Sequence, residues 1–114
     1  LGARYGIPHG QANALALPHV LKACLSEAET AMAELAVVTN VSDAASPAAR
    51  AQAFIEAVQD LIAKVGIAET DPRIQPADWT VLAHAAMDES DGYVSPRLLT
   101  KAEIMDTLER ITAR

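Results

Sequence analysis

The chain has 114 residues, 51% of them hydrophobic, which suffices for one domain burying roughly 65% of its unfolded surface and leaves no room for two. Asp and Glu number 15 against 9 Lys and Arg, and the net charge of −6 excludes a phosphate-backbone partner, so no nucleic acid is expected. Apolar runs such as Ala14-Leu15-Ala16-Leu17 are cut by Pro18 and His19, far short of the ~20 residues that cross a bilayer, so no membrane partner is expected either. Cys24 is the single cysteine, which excludes an internal disulfide or a multi-thiolate zinc site and fits a reducing, cytoplasmic setting. Alanine is abundant and aromatics are 4%, a composition for helices packed closely through small side chains. The expected fold is all-α, about five helices, spanning 1–114 as a single unit.

In chain order, Gly6-Ile7-Pro8-His9-Gly10 marks a tight turn, and an Ala/Leu-rich helix follows from Gln11, with Pro18 expected to kink or interrupt it. Ser26 and Glu29 have capping-box spacing, which predicts a fresh start there and a helix to Val37 or Val38. The short β-branched stretch 37–41 reads as helix end and loop, and 40–45 as loop. Ser46-Pro47 is a good N-cap and N1 pair. Phe54, Ile55, Val58, Leu61, Ile62 and Val65 then recur at helical spacing until Gly66 supplies the stop. A connector covers 67–75. Pro76 opens a helix carrying Trp79, Leu82, Ala83 and Ala86, with its end near Met87 or Asp88, and 88–96 reads as a polar linker. Thr100 and Glu103 form a second capping box, ahead of a final helix with the stripe Ile104, Leu108 and Ile111.

Of the three histidines, His9 has the most local character. Pro8 and Gly10 flank it just before a helix, and a glycine beside an imidazole leaves room for backbone, metal or substrate to approach. Neutral imidazole is a metal ligand, but a turn histidine bonded to backbone accounts for the same residues. His19 lies ten residues on, a spacing that does not pair it with His9 across one helical turn, and it reads as a packing or surface residue. His84 sits between alanines with no ligand partner near it in sequence. Asp71, Asp78, Asp88, Glu89 and Asp91 are explained by surface solvation and helix-end electrostatics, and Cys24 by burial as a structural thiol. No HExxH, CxxC, GxSxG or glycine-rich phosphate loop occurs.

The opening as a whole carries more than its parts: Leu1-Gly2, Gly6-Ile7-Pro8-His9-Gly10, Asn13-Ala14, then Leu17-Pro18-His19-Val20. This run resembles the iron-containing, or group III, alcohol dehydrogenases, in the later part of their all-helical C-terminal domain. The resemblance is specific over 1–20. It returns at Ser95-Pro96-Arg97, where the family often has Asn-Pro-Arg before a closing helix, with Ser95 in the asparagine's place. It implies an N-terminal Rossmann-like domain for NAD or NADP, and a metal, Fe(II) or zinc, held by an aspartate and three histidines. His9 matches the last of those histidines; the other ligands, and a further histidine implicated in proton transfer, would precede Leu1. The activity so implied is metal-dependent, NAD(P)-dependent interconversion of a small alcohol and its aldehyde by hydride transfer. The partners implied are the N-terminal domain of the parent enzyme and a second copy in a homo-oligomer. As a C-terminal fragment, the stretch alone is expected to be inactive and to bind no cofactor tightly. The alternatives are a stand-alone helical binding module that has lost the chemistry, and a four-helix interaction protein in which the histidine motifs are coincidence.

Overall fold

The computed structural model describes residues 1–90, 92 and 95–113. Asp91, one of the carboxylates singled out above, and part of the 88–96 linker lie outside the described residues. The described residues form six α-helices: α1 Gly2–Tyr5, α2 His9–Ala23, α3 Leu25–Val38, α4 Pro47–Lys64, α5 Trp79–Ser90 and α6 Lys101–Ile111. Among them there is no strand, only an isolated bridge between Asp71 and Thr112. The fold class is therefore all-α, with the four-residue α1 added to the five helices legible from periodicity.

Two helix starts agree with the sequence because side chains at them satisfy otherwise orphan amides. Ser46 Oγ accepts from the Ala49 amide at 3.4 Å, and Pro47 follows at N1. Thr100 forms the reciprocal box: its hydroxyl accepts from the Glu103 amide while the Glu103 carboxylate accepts from the Thr100 amide at 2.9 Å. The expected box at Ser26 and Glu29 does not form. α3 begins earlier because the Cys24 carbonyl already accepts from the Glu27 and Ala28 amides, which puts Ser26 inside the first turn, where its hydroxyl donates to Glu27.

Helix ends follow the left-handed residue. Gly66 has φ 82°, and the Ile67 amide reaches back to the Ile62 carbonyl while that of Gly66 bonds Ala63, a Schellman closure. Asn40 does the same for α3 at φ 55°, with the Val41 amide on Ala36. α2 begins at His9 rather than Gln11, and it runs through Pro18 without interruption. Pro18 deprives Ala14 of its helical donor, a cost of about 3 kcal/mol or more in a helix interior. Its ring is buried, which offsets part of that cost. Pro76 opens a single 3₁₀ turn, Pro76–Asp78, before α5 proper, and α5 extends to Ser90, past the expected end.

Most of the buried apolar residues fall into two groups. Ile7, Leu15, Ile74, Leu82, Ala83, Leu108 and Ile111 form one core, joined by the half-buried Trp79 and Ile104. Ala28, Met32, Ala51 and Ile55 form the other, where α3 and α4 lie against each other through small residues, with Leu21, Leu25 and Phe54 at its edge. Leu61 and Val65, part of the apolar stripe of α4, are 62% exposed because the α3 contact uses the N-terminal half of that helix. The radius of gyration of 14.8 Å exceeds the ~13 Å of a compact chain this long, as a projecting helical hairpin requires.

Arg97 ties the two cores. Its guanidinium donates to the Ala23 carbonyl at the end of α2 at 2.6 Å, pairs with Glu27 of α3 at 3.3 Å, and forms a two-pronged pair with Glu103 of α6. Ser95, standing where the resemblance has asparagine, donates to the Arg97 carbonyl at 2.8 Å and so fixes this corner locally.

Candidate functional site

His9 is the first residue of α2, exposed, with Pro8 at the N-cap in an extended conformation (φ −55°, ψ 141°). Proline suits this boundary because its φ is fixed, while its ψ directs the chain into the helix. The Ala12 amide bonds the Pro8 carbonyl at 2.9 Å and closes the turn. One turn on, the Asn13 amide nitrogen lies 3.2 Å from His9 Nε2. In that orientation Nε2 accepts the bond, so the nitrogen facing Asn13 carries the lone pair, and Asn13 steadies the ring from its own helix. A Cβ built on Gly10 would meet nothing within 4 Å, so the space beside His9 is open.

The surroundings of this turn are firmly anchored. Ile7, two residues before His9, is 2% exposed in the larger core. Tyr5 donates to Asp78 at 2.8 Å and accepts from the Gln75 amide at 3.2 Å, and Arg4 pairs with the same Asp78. Gln11 Nε2 donates to Asp71 Oδ2 at 3.1 Å. Asp71 departs from the sequence reading, which gave it to solvent: it is 2% exposed. Its burial is tolerated because Arg73 bonds it three times, through its amide at 2.9 Å, Nε at 2.9 Å and Nη2 at 2.6 Å. Those Arg73 bonds hold the Asp71 carboxyl below its ordinary range against the opposing effect of burial. Its backbone amide also bonds the Ile111 carbonyl at 2.8 Å. No spacing rule could have found this residue, since its partners lie two, forty and sixty positions away.

The other histidines are elsewhere. His19 is half-buried on α2, where burial first, then Lys22 and Arg110, hold its imidazole below the ordinary value. His84 is exposed on α5, with Lys101 Nζ 3.4 Å from its Nε2. Cys24 is buried between α2 and α3, as its apolar context predicts. Among the described residues no group of three or more His, Cys, Asp or Glu comes together in a way that could hold a metal ion. An apolar concavity of about 350 Å³ lies between α1, α2, α5 and α6, with Leu1, Val20, Val81 and Ile104 in its walls, and His9 does not line it. No helix among the described residues is long and apolar enough to cross a membrane.

The family known as the Fe-containing alcohol dehydrogenases matches, in its C-terminal part, residues 1–112, a span that includes the His9 turn and the Arg97 corner. The chain belongs to that family. It is 31% identical over 109 residues to the 1,3-propanediol dehydrogenase of Citrobacter freundii, and 34% identical over 109 residues to the lactaldehyde reductase of Escherichia coli strain K12. Each alignment covers 93% of this chain and 28% of the relative. The 1,3-propanediol dehydrogenase of Klebsiella pneumoniae is similar at 31% over 108 residues, 91% of this chain and again 28% of the relative. The chain thus spans little more than a quarter of the length of these relatives. No solved structure matches it significantly.

Proposed function

We propose that the full-length protein is a metal-dependent, NAD(P)-dependent oxidoreductase that interconverts a small alcohol or diol and the matching aldehyde. In this reading residues 1–114 belong to its helical metal-binding domain, and a Rossmann-like domain N-terminal to them holds the nicotinamide cofactor. The observation that carries it is the match over residues 1–112 together with an exposed imidazole at the start of α2. The names of the relatives, a propanediol dehydrogenase and a lactaldehyde reductase, support a short oxygenated substrate. A cytoplasmic setting and a homo-oligomer are part of the same reading; exposed apolar side chains at Val38, Leu61 and Val65 offer surface for contact with other copies or domains.

The residues present fit one ligand of a shared metal site. His9 offers a lone pair at Nε2, held toward Asn13, and binding a metal there would displace that single bond. Open space at Gly10 leaves the approach unobstructed. The remaining ligands would come from other parts of the full-length protein. The bound ion, Fe(II) or zinc, would supply Lewis acidity at the substrate oxygen. An alcohol becoming an aldehyde loses a hydride from carbon to the nicotinamide ring and a proton from oxygen. His9 would contribute by fixing where that oxygen is polarised.

The test is reconstitution of the full-length protein. Stripping it with a chelator should abolish NAD(P)-linked oxidation of 1,3-propanediol and reduction of lactaldehyde, and adding Fe(II) or Zn(II) should restore at least one of them. Turnover unaffected by removal of the metal would contradict the reading.

A further inference from the structure

We propose that Gln11 is a positioning residue for His9, through its hydrogen bond to the buried Asp71, an inference that rests on the reading of His9 as a metal ligand. The ring of His9 is steadied by Asn13 of its own helix, but that bond moves with the helix and cannot set where the turn sits in the molecule. α2 starts at Pro8 without a side-chain cap. The turn is instead located from two sides by the connector ahead of α5. Before His9, Ile7 is sunk in the core and Tyr5 is bonded to Asp78 and to the Gln75 amide. After it, Gln11 is bonded to Asp71, sixty residues away.

Asp71 is a rigid anchor. It is 2% exposed, three Arg73 bonds fix its carboxylate, and its backbone is fastened to the end of α6 through Ile111. Its Oδ2 receives both Arg73 Nη2 and Gln11 Nε2. Metal–ligand distances tolerate deviations of about 0.2 Å, so a histidine on an exposed first turn needs such an anchor to arrive with the right geometry. Outer partners that orient ligands typically contribute ~10–100-fold to metal affinity or activity. Arg73 grips the same carboxylate, so it holds the anchor from behind while Gln11 links the anchor to α2.

The experiment is a competition titration of the full-length apoprotein with Zn(II) and with Fe(II) against a chelator, for wild type, Gln11→Met, Gln11→Lys, Arg73→Met and His9→Ala, with thermal midpoints measured in parallel. Met keeps the length and helix propensity of Gln11 while removing the donor; Lys restores a donor toward Asp71. Gln11→Met is expected to weaken metal binding about tenfold at an unchanged midpoint. Gln11→Lys should recover most of that loss, and Arg73→Met, which frees the anchor itself, should lower the midpoint and weaken metal binding as well. Wild-type affinity in Gln11→Met, or no recovery in Gln11→Lys, would overturn the positioning role while leaving His9 a ligand. Wild-type affinity in His9→Ala would overturn the ligand reading itself, and the positioning role with it.

Discussion

At the scale of single residues, the surroundings of His9 and of Asp71 differ in how far the sequence reveals them. The turn around His9 was legible because proline fixes the backbone before it and glycine clears space beside it, whereas the Asn13 amide at its ring emerges only from the fold. Asp71 was not legible, because burial of a carboxylate depends on partners brought in by the fold, here Arg73, Gln11 and the Ile111 carbonyl. The Arg97–Glu103 pair has a measurable consequence. The Arg97 bonds, with the Thr100 amide, draw the Glu103 carboxyl down to about 2 from an ordinary 4.5. A carboxylate whose folded value is depressed contributes stability that is complete above the unfolded value and fades as pH falls through the folded one. The contribution is therefore complete above about pH 4.5 and is lost progressively toward pH 2. Glu103→Gln keeps the acceptor for the Thr100 amide but removes this dependence. Acid unfolding followed by circular dichroism should show wild type losing its advantage over Glu103→Gln within that window; parallel curves for the two proteins would contradict the assignment.

At the scale of elements, boundaries were readable where the signal is chemical and local. Ser46-Pro47, Gly66 and the Thr100/Glu103 box each satisfy or redirect specific backbone groups, and the structure uses all of them. Errors arose where tertiary structure outweighed the local cue. Pro18 does not end α2, since its ring is buried, and the box at Ser26 is pre-empted by the tight turn at Cys24. α1 was missed because four residues carry no periodicity; it exists by the Gly6 amide bonding the Gly2 carbonyl and by Arg4 and Tyr5 reaching Asp78. The capping box gives a local prediction. Thr100→Ala removes the hydroxyl acceptor, which at an N-cap costs about 1 kcal/mol, or roughly fivefold faster hydrogen exchange through local opening at the start of α6. Thr100→Ser should retain most of the protection, and equal exchange in the alanine variant would show that the cap contributes nothing there.

At the scale of the whole molecule, the division into two cores explains how a chain of mostly small apolar residues is organised around one turn. The larger core holds α1, α2, α5 and α6 and carries the His9 turn on its rim; the α3–α4 hairpin has its own small core, against which Leu21 of α2 packs, and Arg97 adds a polar tie to it. Helical class and most spans could be read from composition and period, whereas this division could not, since the exposed Leu61 and Val65 have the same spacing as the buried Ile55. The central claim, that the turn presents a metal ligand to the rest of a dehydrogenase, is tested most directly by metal content. Full-length His9→Ala, His19→Ala and His84→Ala should be purified alongside wild type and assayed for bound iron and zinc per subunit and for NAD(P) binding. The account predicts that His9→Ala loses most of its metal, with affinity down at least ~10–100-fold, while still binding NAD(P), and that the other two variants keep wild-type metal content. Full metal occupancy in His9→Ala would contradict it.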